Sequence, residues 1–180
     1  MDKAFTEKTT QSINSIAQSL HTSMNWLTKT LRHSFINDDD IRQFRQLGGV
    51  CQGHVDSKWA PGVDFSAGSL GMGLSFGIGC ALAARMEKSL RTIFVMLGDG
   101  EIQEGQVWEA LMYYPKTKLK NLVCVIDWNK GQNDGYSKDF SIMYDNLQER
   151  ISSFGWSCKV IDGHNMNTIR YEMRQSVVST

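Results

Sequence analysis

From residue 92 onward the apolar positions of this chain alternate between two spacings. "TIFVML" (92–97) and "NLVCVID" (121–127) are nearly continuous apolar runs, the pattern of strands covered on both faces, as in parallel sheets. Between them Val107, Ala110, Leu111 and Tyr114 recur at i, i+3, i+4 and i+7, which predicts a helix over about 103–114. A shorter run, "CKVID" (158–162), predicts a third strand. Strand and helix in alternation predict an α/β fold, a parallel sheet with helices on both faces. Ligands are then expected beyond the carboxyl ends of the strands.

Upstream the patterning is less regular. Residues 8–33 are compatible with helix but weakly periodic. In "NDDDIRQFRQL" (37–47), Asn37 or Asp38 can cap a helix, acids fill its first turn, and Ile41, Phe44 and Leu47 form an apolar stripe. The next segment, "GGVCQGHVDSKWAPGVDFSAGS" (48–69), carries no periodicity and predicts a long loop. Loops of that length are usually functional or disordered, and the glycines and His54 favour function. From Ser69 a helical pattern of unusually small residues begins, with Gly71, Gly73, Gly77, Gly79, Ala81, Ala83 and Ala84. Each interior glycine costs a helix about 1 kcal/mol, so this one must gain by close packing, against a sheet or another subunit.

Composition narrows the function classes. At 180 residues the chain is expected to be one domain, with enough core to fold. Nineteen basic residues balance nineteen acidic ones, so there is no basic field for nucleic acid or an anionic membrane. No apolar run approaches the roughly 18 residues of a spanning helix. The first thirty residues lack a charged start followed by an apolar block, so no secretory signal is expected and a cytoplasmic location is. Cys51, Cys80, Cys124 and Cys158 stand far apart without zinc-ligand spacing, consistent with reduced core thiols.

The two strong strands end on residues able to do chemistry. Asp99 sits between Gly98 and Gly100 directly after the first strand, and Asn129 follows the second. If the strands are parallel neighbours, a carboxylate and an amide oxygen meet at one sheet edge, a hard-oxygen pair suited to Mg²⁺ completed by a substrate phosphate. Gly98 and Gly100 would let a diphosphate approach the backbone, and a helix starting near Gln103 would aim N–H groups at it. The other reading of each residue is an ordinary turn or helix cap.

"GDGEIQEGQVWEA", followed after about thirty residues by "DWN", resembles the thiamine-diphosphate motif as transketolases carry it. "RQLGGVCQGHV", "PGVDFSAGSLGMGLSFGIGCALAAR", "LKNLVCVIDWNKGQNDG" and "FGWSCKVIDGHN" are similar to successive blocks of the amino-terminal half of that family, over residues 36 to about 172. The resemblance implies a thiamine-diphosphate-binding domain over 36–180, preceded by a divergent helical segment, 1–35. It implies Mg²⁺ on Asp99, Asn129 and the Gly131 carbonyl, and a diphosphate against Gly98 and Gly100. Gly68 and Leu70 would lie against the cofactor rings, and His54 would reach a ketose substrate. Glu104, with His54 one of the two catalytic candidates, would join a buried carboxylate network across the subunit interface rather than touch the metal. His164 is read as a turn residue, and Trp108 and Trp156 as packing residues.

The chain also departs from the family pattern. It lacks the upstream Gly-His-Pro-Gly block, and the interval from His54 that reaches the other upstream histidine lands on His21, in "AQSLHTSMNWL", which takes a diphosphate-facing role by position. The family's Gly-His-Pro reads "GHV" here, and Met72 replaces a usual glutamine. The pyrimidine-binding half and its activating glutamate are not in these 180 residues, which implies a partner chain that supplies them, as in split transketolases, in a hetero-tetramer. The expected activity is transfer of a two-carbon ketol unit from a ketose to an aldehyde. The alternative is a catalytically inactive scaffold or regulatory subunit.

Overall fold

The computed structural model describes residues 36–178 apart from 55, 62, 64, 67, 133–134 and 137–144. The weak helical pattern over 8–33 and His21 therefore lie outside the described residues.

A short helix, α1 (Asp38–Arg42), opens where the acidic run predicted it. Asn37 caps it by accepting from the backbone N–H groups of Asp39 and Asp40, and the Asp40 carboxylate reaches back to the N–H of Asn37. The stripe expected through Leu47 stops early. Arg45 takes a left-handed conformation (φ 60°), the helix ends, and Leu47 is left exposed. Ile41, Phe44 and Val50 pack around Ile36 and Cys51 instead.

The small-residue helix, α2 (Met72–Met86), begins just after Gly71, whose φ of 82° places it in the left-handed region that glycine tolerates. It ends on Lys88, also left-handed (φ 53°), with Lys88 N–H donating to Arg85 O and Ser89 N–H to Ala84 O, the paired bonds of a Schellman stop. Leu74, Gly77, Ile78, Ala81 and Ala84 form its buried face. The sequence left two explanations for the glycines, a sheet or a second subunit, and at Gly77 the sheet is the reason. A Cβ there would lie 2.3 Å from Val95 Cγ2 on the first strand.

That strand, β1 (Ile93–Gly98), pairs in parallel with β2 (Leu122–Asp127), in register from Ile93 opposite Leu122 to Gly98 opposite Asp127. Side chains alternate across the pleat. Val95 and Leu97 join Leu74, Ile78, Val107 and Leu111 in the main core, whereas Phe94 and Met96 pack with Val123 and Met173 on the other face. Met173 belongs to the last helix, α5 (Met166–Val178), so both sheet faces carry helices as expected.

The connecting helix, α3 (Gly105–Thr117), starts two residues later than predicted, behind a 3-10 turn over Glu101–Gln103. It also runs past Pro115. Proline has no N–H for the carbonyl four residues back. Here that carbonyl, Leu111 O, accepts instead from the indole N–H of Trp156 at 2.8 Å, and Trp156 stacks on Tyr114 with centroids 4.2 Å apart. After β2 come a two-rung hairpin, β3 (Gly131–Gln132) and β4 (Gly135–Tyr136), and a short helix, α4 (Leu147–Ser153), which buries Leu147 and Ile151 in the main core.

One predicted element does not form. Residues 158–162 run without a sheet ladder, and β1 and β2 are the only strands of their sheet among the described residues. The run is short and half polar, and Val160 is 59% exposed, so it buries too little to dock as a strand. Its Lys159 pairs with Glu172 of α5 instead.

Candidate functional site

Parallel pairing fixes which residues emerge together. With Gly98 opposite Asp127, the chains leaving β1 and β2 rise at the same sheet edge, carrying Asp99 one residue and Asn129 two residues beyond the ladder. The two exits are also in contact. A Cβ on Gly100 would sit 3.1 Å from Gln132 Cβ, and the Gln103 side-chain amide donates to that of Gln132.

Asp99 is 5% exposed, and its Oδ1 accepts from the N–H of Gly100 at 2.8 Å. The Asn129 side chain is oriented from both ends. Its Nδ2 donates to Asp127 Oδ2 at 3.2 Å, and its Oδ1 accepts from the N–H of Gly131 at 2.8 Å. That turn bond uses one lone pair of the amide oxygen and leaves a second for another partner. Asp99, Asn129 and the Gly131 carbonyl thus offer three hard oxygens, one of them anionic, a donor set that fits Mg²⁺ sharing its shell with phosphate. Among the described residues no three His, Cys, Asp or Glu side chains come together as a metal-binding group. A Cβ on Gly98 would meet nothing within 4 Å, so the backbone is open at the point where a diphosphate would approach.

The long loop returns to this edge. His54 lies against Gly68, whose Cβ would fall 3.6 Å from the imidazole Cγ, so the structure brings these two predicted residues together. From Gly68 the chain turns through Leu70 into α2, and the segment after β1 grips that turn. Glu101 Oε1 accepts from the N–H of Gly71 at 2.9 Å, and Gln106 Nε2 donates to the carbonyl of Leu70 at 2.6 Å. Glu104, singled out from the sequence, is exposed at the start of α3 and its side chain does not cap the helix.

Glu101 was not singled out from the sequence. It is 5% exposed, and its second oxygen accepts from the N–H of Gly98 at 3.2 Å. Burial raises its proton affinity above the usual carboxylate range, opposed by the two backbone donors and reinforced by nearby Glu104. In "GDGEIQEG" two glutamates stand three apart, and that spacing does not say which of them is buried. His164 is exposed in the turn before α5, where the side chain of Asp162 accepts from its backbone N–H, a turn role as read from the sequence.

Among the described residues no helix is long and apolar enough to cross a membrane. The family model for the thiamine diphosphate binding domain of transketolase matches residues 18–179. A 6-deoxy-6-sulfo-D-fructose transketolase subunit of a Clostridium species is 38% identical over 129 residues, covering 72% of this chain and 46% of that protein. An apulose-4-phosphate transketolase subunit from Phocaeicola vulgatus is 35% identical over 135 residues, 75% of this chain and 47% of its own. The chain thus spans about half the length of these curated relatives. In three dimensions it superposes on the crystal structure of transketolase from Campylobacter jejuni with a TM-score of 0.71 and 28% identity, covering 77% of this chain and 23% of that one. With strand order, motif spacing, sequence and fold in agreement, the chain belongs to the transketolase family and carries its thiamine diphosphate-binding domain.

Proposed function

We propose that this chain is one subunit of a thiamine-diphosphate- and Mg²⁺-dependent transketolase-like enzyme that moves a two-carbon ketol unit from a ketose to an aldehyde acceptor. The observation that carries this reading is the register of β1 on β2. It sets a buried Asp99 and an oriented Asn129 at one edge, beside the open backbone of Gly98. Asp99, Asn129 and the Gly131 carbonyl would hold Mg²⁺, and Gly98 and Gly100 would admit the diphosphate. Gly68 and Leu70 would support the cofactor rings, with His54 beside them to hydrogen-bond a ketose hydroxyl. Thiamine diphosphate, when bound, supplies the nucleophilic carbon that no protein side chain offers.

A partner chain would complete the site with the pyrimidine domain and an activating glutamate. General acid–base assistance of that type is worth about 10²–10⁴ in rate, so this subunit by itself should be nearly inactive. Both curated relatives are named as subunits, which supports the reading. The exposed Glu104 would then meet the partner. The relatives are named for different ketoses, so the proposal stops at the substrate class.

The test is calorimetric titration of thiamine diphosphate into the chain purified with a pyrimidine-domain subunit, with Mg²⁺ and after chelation by EDTA. Binding should require Mg²⁺ and be lost in Asp99→Ala. Binding that ignores both the metal and the substitution would refute the proposal.

A further inference from the structure

The proposed cofactor site leaves one buried charged group without a task, Glu101. We infer that Glu101, together with Gln106, is a positioning residue that fixes the Leu70–Gly71 peptide, and with it the cofactor-facing turn, relative to the diphosphate-facing end of β1. The inference rests on the cofactor site proposed above and assigns a specific role within it.

The geometry is selective. Leu70 C=O and Gly71 N–H belong to one planar peptide unit. Gln106 Nε2 donates to its oxygen at 2.6 Å, and Glu101 Oε1 accepts from its nitrogen at 2.9 Å. Holding both ends of a rigid plane fixes the direction in which Leu70 leaves the turn. The second carboxylate oxygen of Glu101 accepts from Gly98 N–H at 3.2 Å, so a single side chain joins the turn to the strand end. Gly71 is also enclosed, since a Cβ there would lie 3.0 Å from Gln106 Cγ and 3.0 Å from Glu104 Cβ.

The chemistry of the two side chains cannot be interchanged. Both partners of Glu101 are N–H donors, so only a group that accepts through both oxygens satisfies them. Glutamine at 101 would turn its own NH₂ toward one of them. The partner of Gln106 is an acceptor, so that position needs a donor. A buried carboxylate is costly unless it is hydrogen-bonded, and here the two backbone amides offset that cost.

The test compares two ligands, thiamine diphosphate and magnesium pyrophosphate, on the chain assembled with its pyrimidine-domain partner. Gln106→Met keeps the bulk and removes the donor to Leu70. It should weaken thiamine diphosphate by about tenfold, the effect of one lost buried hydrogen bond, and leave magnesium pyrophosphate near the wild-type affinity. Glu101→Gln should weaken thiamine diphosphate at least as much. If Glu101→Gln does not fold, Gln106→Met alone decides the matter. Unchanged thiamine diphosphate affinity in Gln106→Met, or equal weakening of both ligands, would overturn the positioning role. A wild-type assembly that binds neither ligand would refute the cofactor site itself, a separate result.

Discussion

Replacing Gly77 by alanine isolates the reason for the glycine-rich helix. In a free helix the change is favourable by about 1 kcal/mol, because alanine loses less backbone freedom. In this protein the new methyl would lie 2.3 Å from Val95 Cγ2, 3.4 Å from Leu122 Cδ1 and 3.7 Å from Ile93 Cγ2. Val95 is 3% exposed and β-branched, so it cannot swing aside, and α2 must lift from the sheet or strain its neighbours. Overpacking of that kind costs about 1–3 kcal/mol. Gly79, on the same helix, has nothing within 4 Å of its Cβ position, so Gly79→Ala collects the propensity gain alone. The propensity terms cancel in the comparison, and Gly77→Ala should be the less stable of the two by about the overpacking cost of 1–3 kcal/mol. Urea unfolding followed by circular dichroism reads this gap as a difference in midpoint at constant slope. A Gly77→Ala, Val95→Ala double variant should recover part of it. Equal midpoints for Gly77→Ala and Gly79→Ala would refute close helix–sheet approach as the reason for the glycine.

Trp156→Phe keeps an aromatic ring on Tyr114 but leaves the Leu111 carbonyl without its indole donor, at a cost of about 1–3 kcal/mol in the same urea assay. Restoring an ordinary residue at Pro115 should recover much of that loss, because its N–H can serve Leu111 again. The Cys124 thiol is pushed up to about 12, chiefly by burial, so its alkylation in the native protein should stay slow and still climb about tenfold per pH unit up to pH 10, where an ordinary thiol levels off, measured by peptide mass spectrometry. The unfolded thiol ionises near 9.0, so the native state holds its proton longer. The stability this group contributes is complete below about pH 9 and falls as pH rises toward 12, a slope that Cys124→Ala should remove. Glu104→Gln should leave the urea midpoint within about 0.5 kcal/mol of wild type, as exposed substitutions do, while lowering ketol transfer by the assembled enzyme. A drop in stability without a drop in turnover would count against its proposed place at the partner interface.

The sheet, and the edge at which Asp99 and Asn129 emerge, were legible because they depend on short-range patterns. Two unbroken apolar runs flank a helix of clear period, and the residues that follow them fall together once the runs pair in parallel. Two of the failures involve partners distant in sequence. Proline at 115 locally argues for ending α3, and only a tryptophan forty-one residues later makes continuation possible by serving the orphaned carbonyl. The run at 158–162 has strand-like composition, but a strand needs a ladder, and composition cannot show whether an edge is offered. At α1 the capping signal was right and the length was wrong, because an apolar stripe cannot reveal that Arg45 turns left-handed.

The same distinction applies to the stretch after β1. "EIQEGQ" carries two glutamates and two glutamines, and sequence spacing alone gives no reason to prefer one glutamate over the other. The chain around the 3-10 turn separates them, because Glu104 is extended where the turn ends. It rotates Glu101 inward, onto the amides of Gly71 and Gly98, and leaves Glu104 on the surface at the start of α3. One carboxylate is therefore committed within the chain, where its bonds join two segments of the proposed cofactor site. The other remains available to a second polypeptide. Residues three apart eclipse in a continued 3-10 turn, but Glu104 is extended where the turn ends (φ −65°, ψ 128°), so its side chain leaves that line. The two carboxylates stay close enough for Glu104 to raise the proton affinity of Glu101, and the one short motif would serve both sides of the proposed shared site.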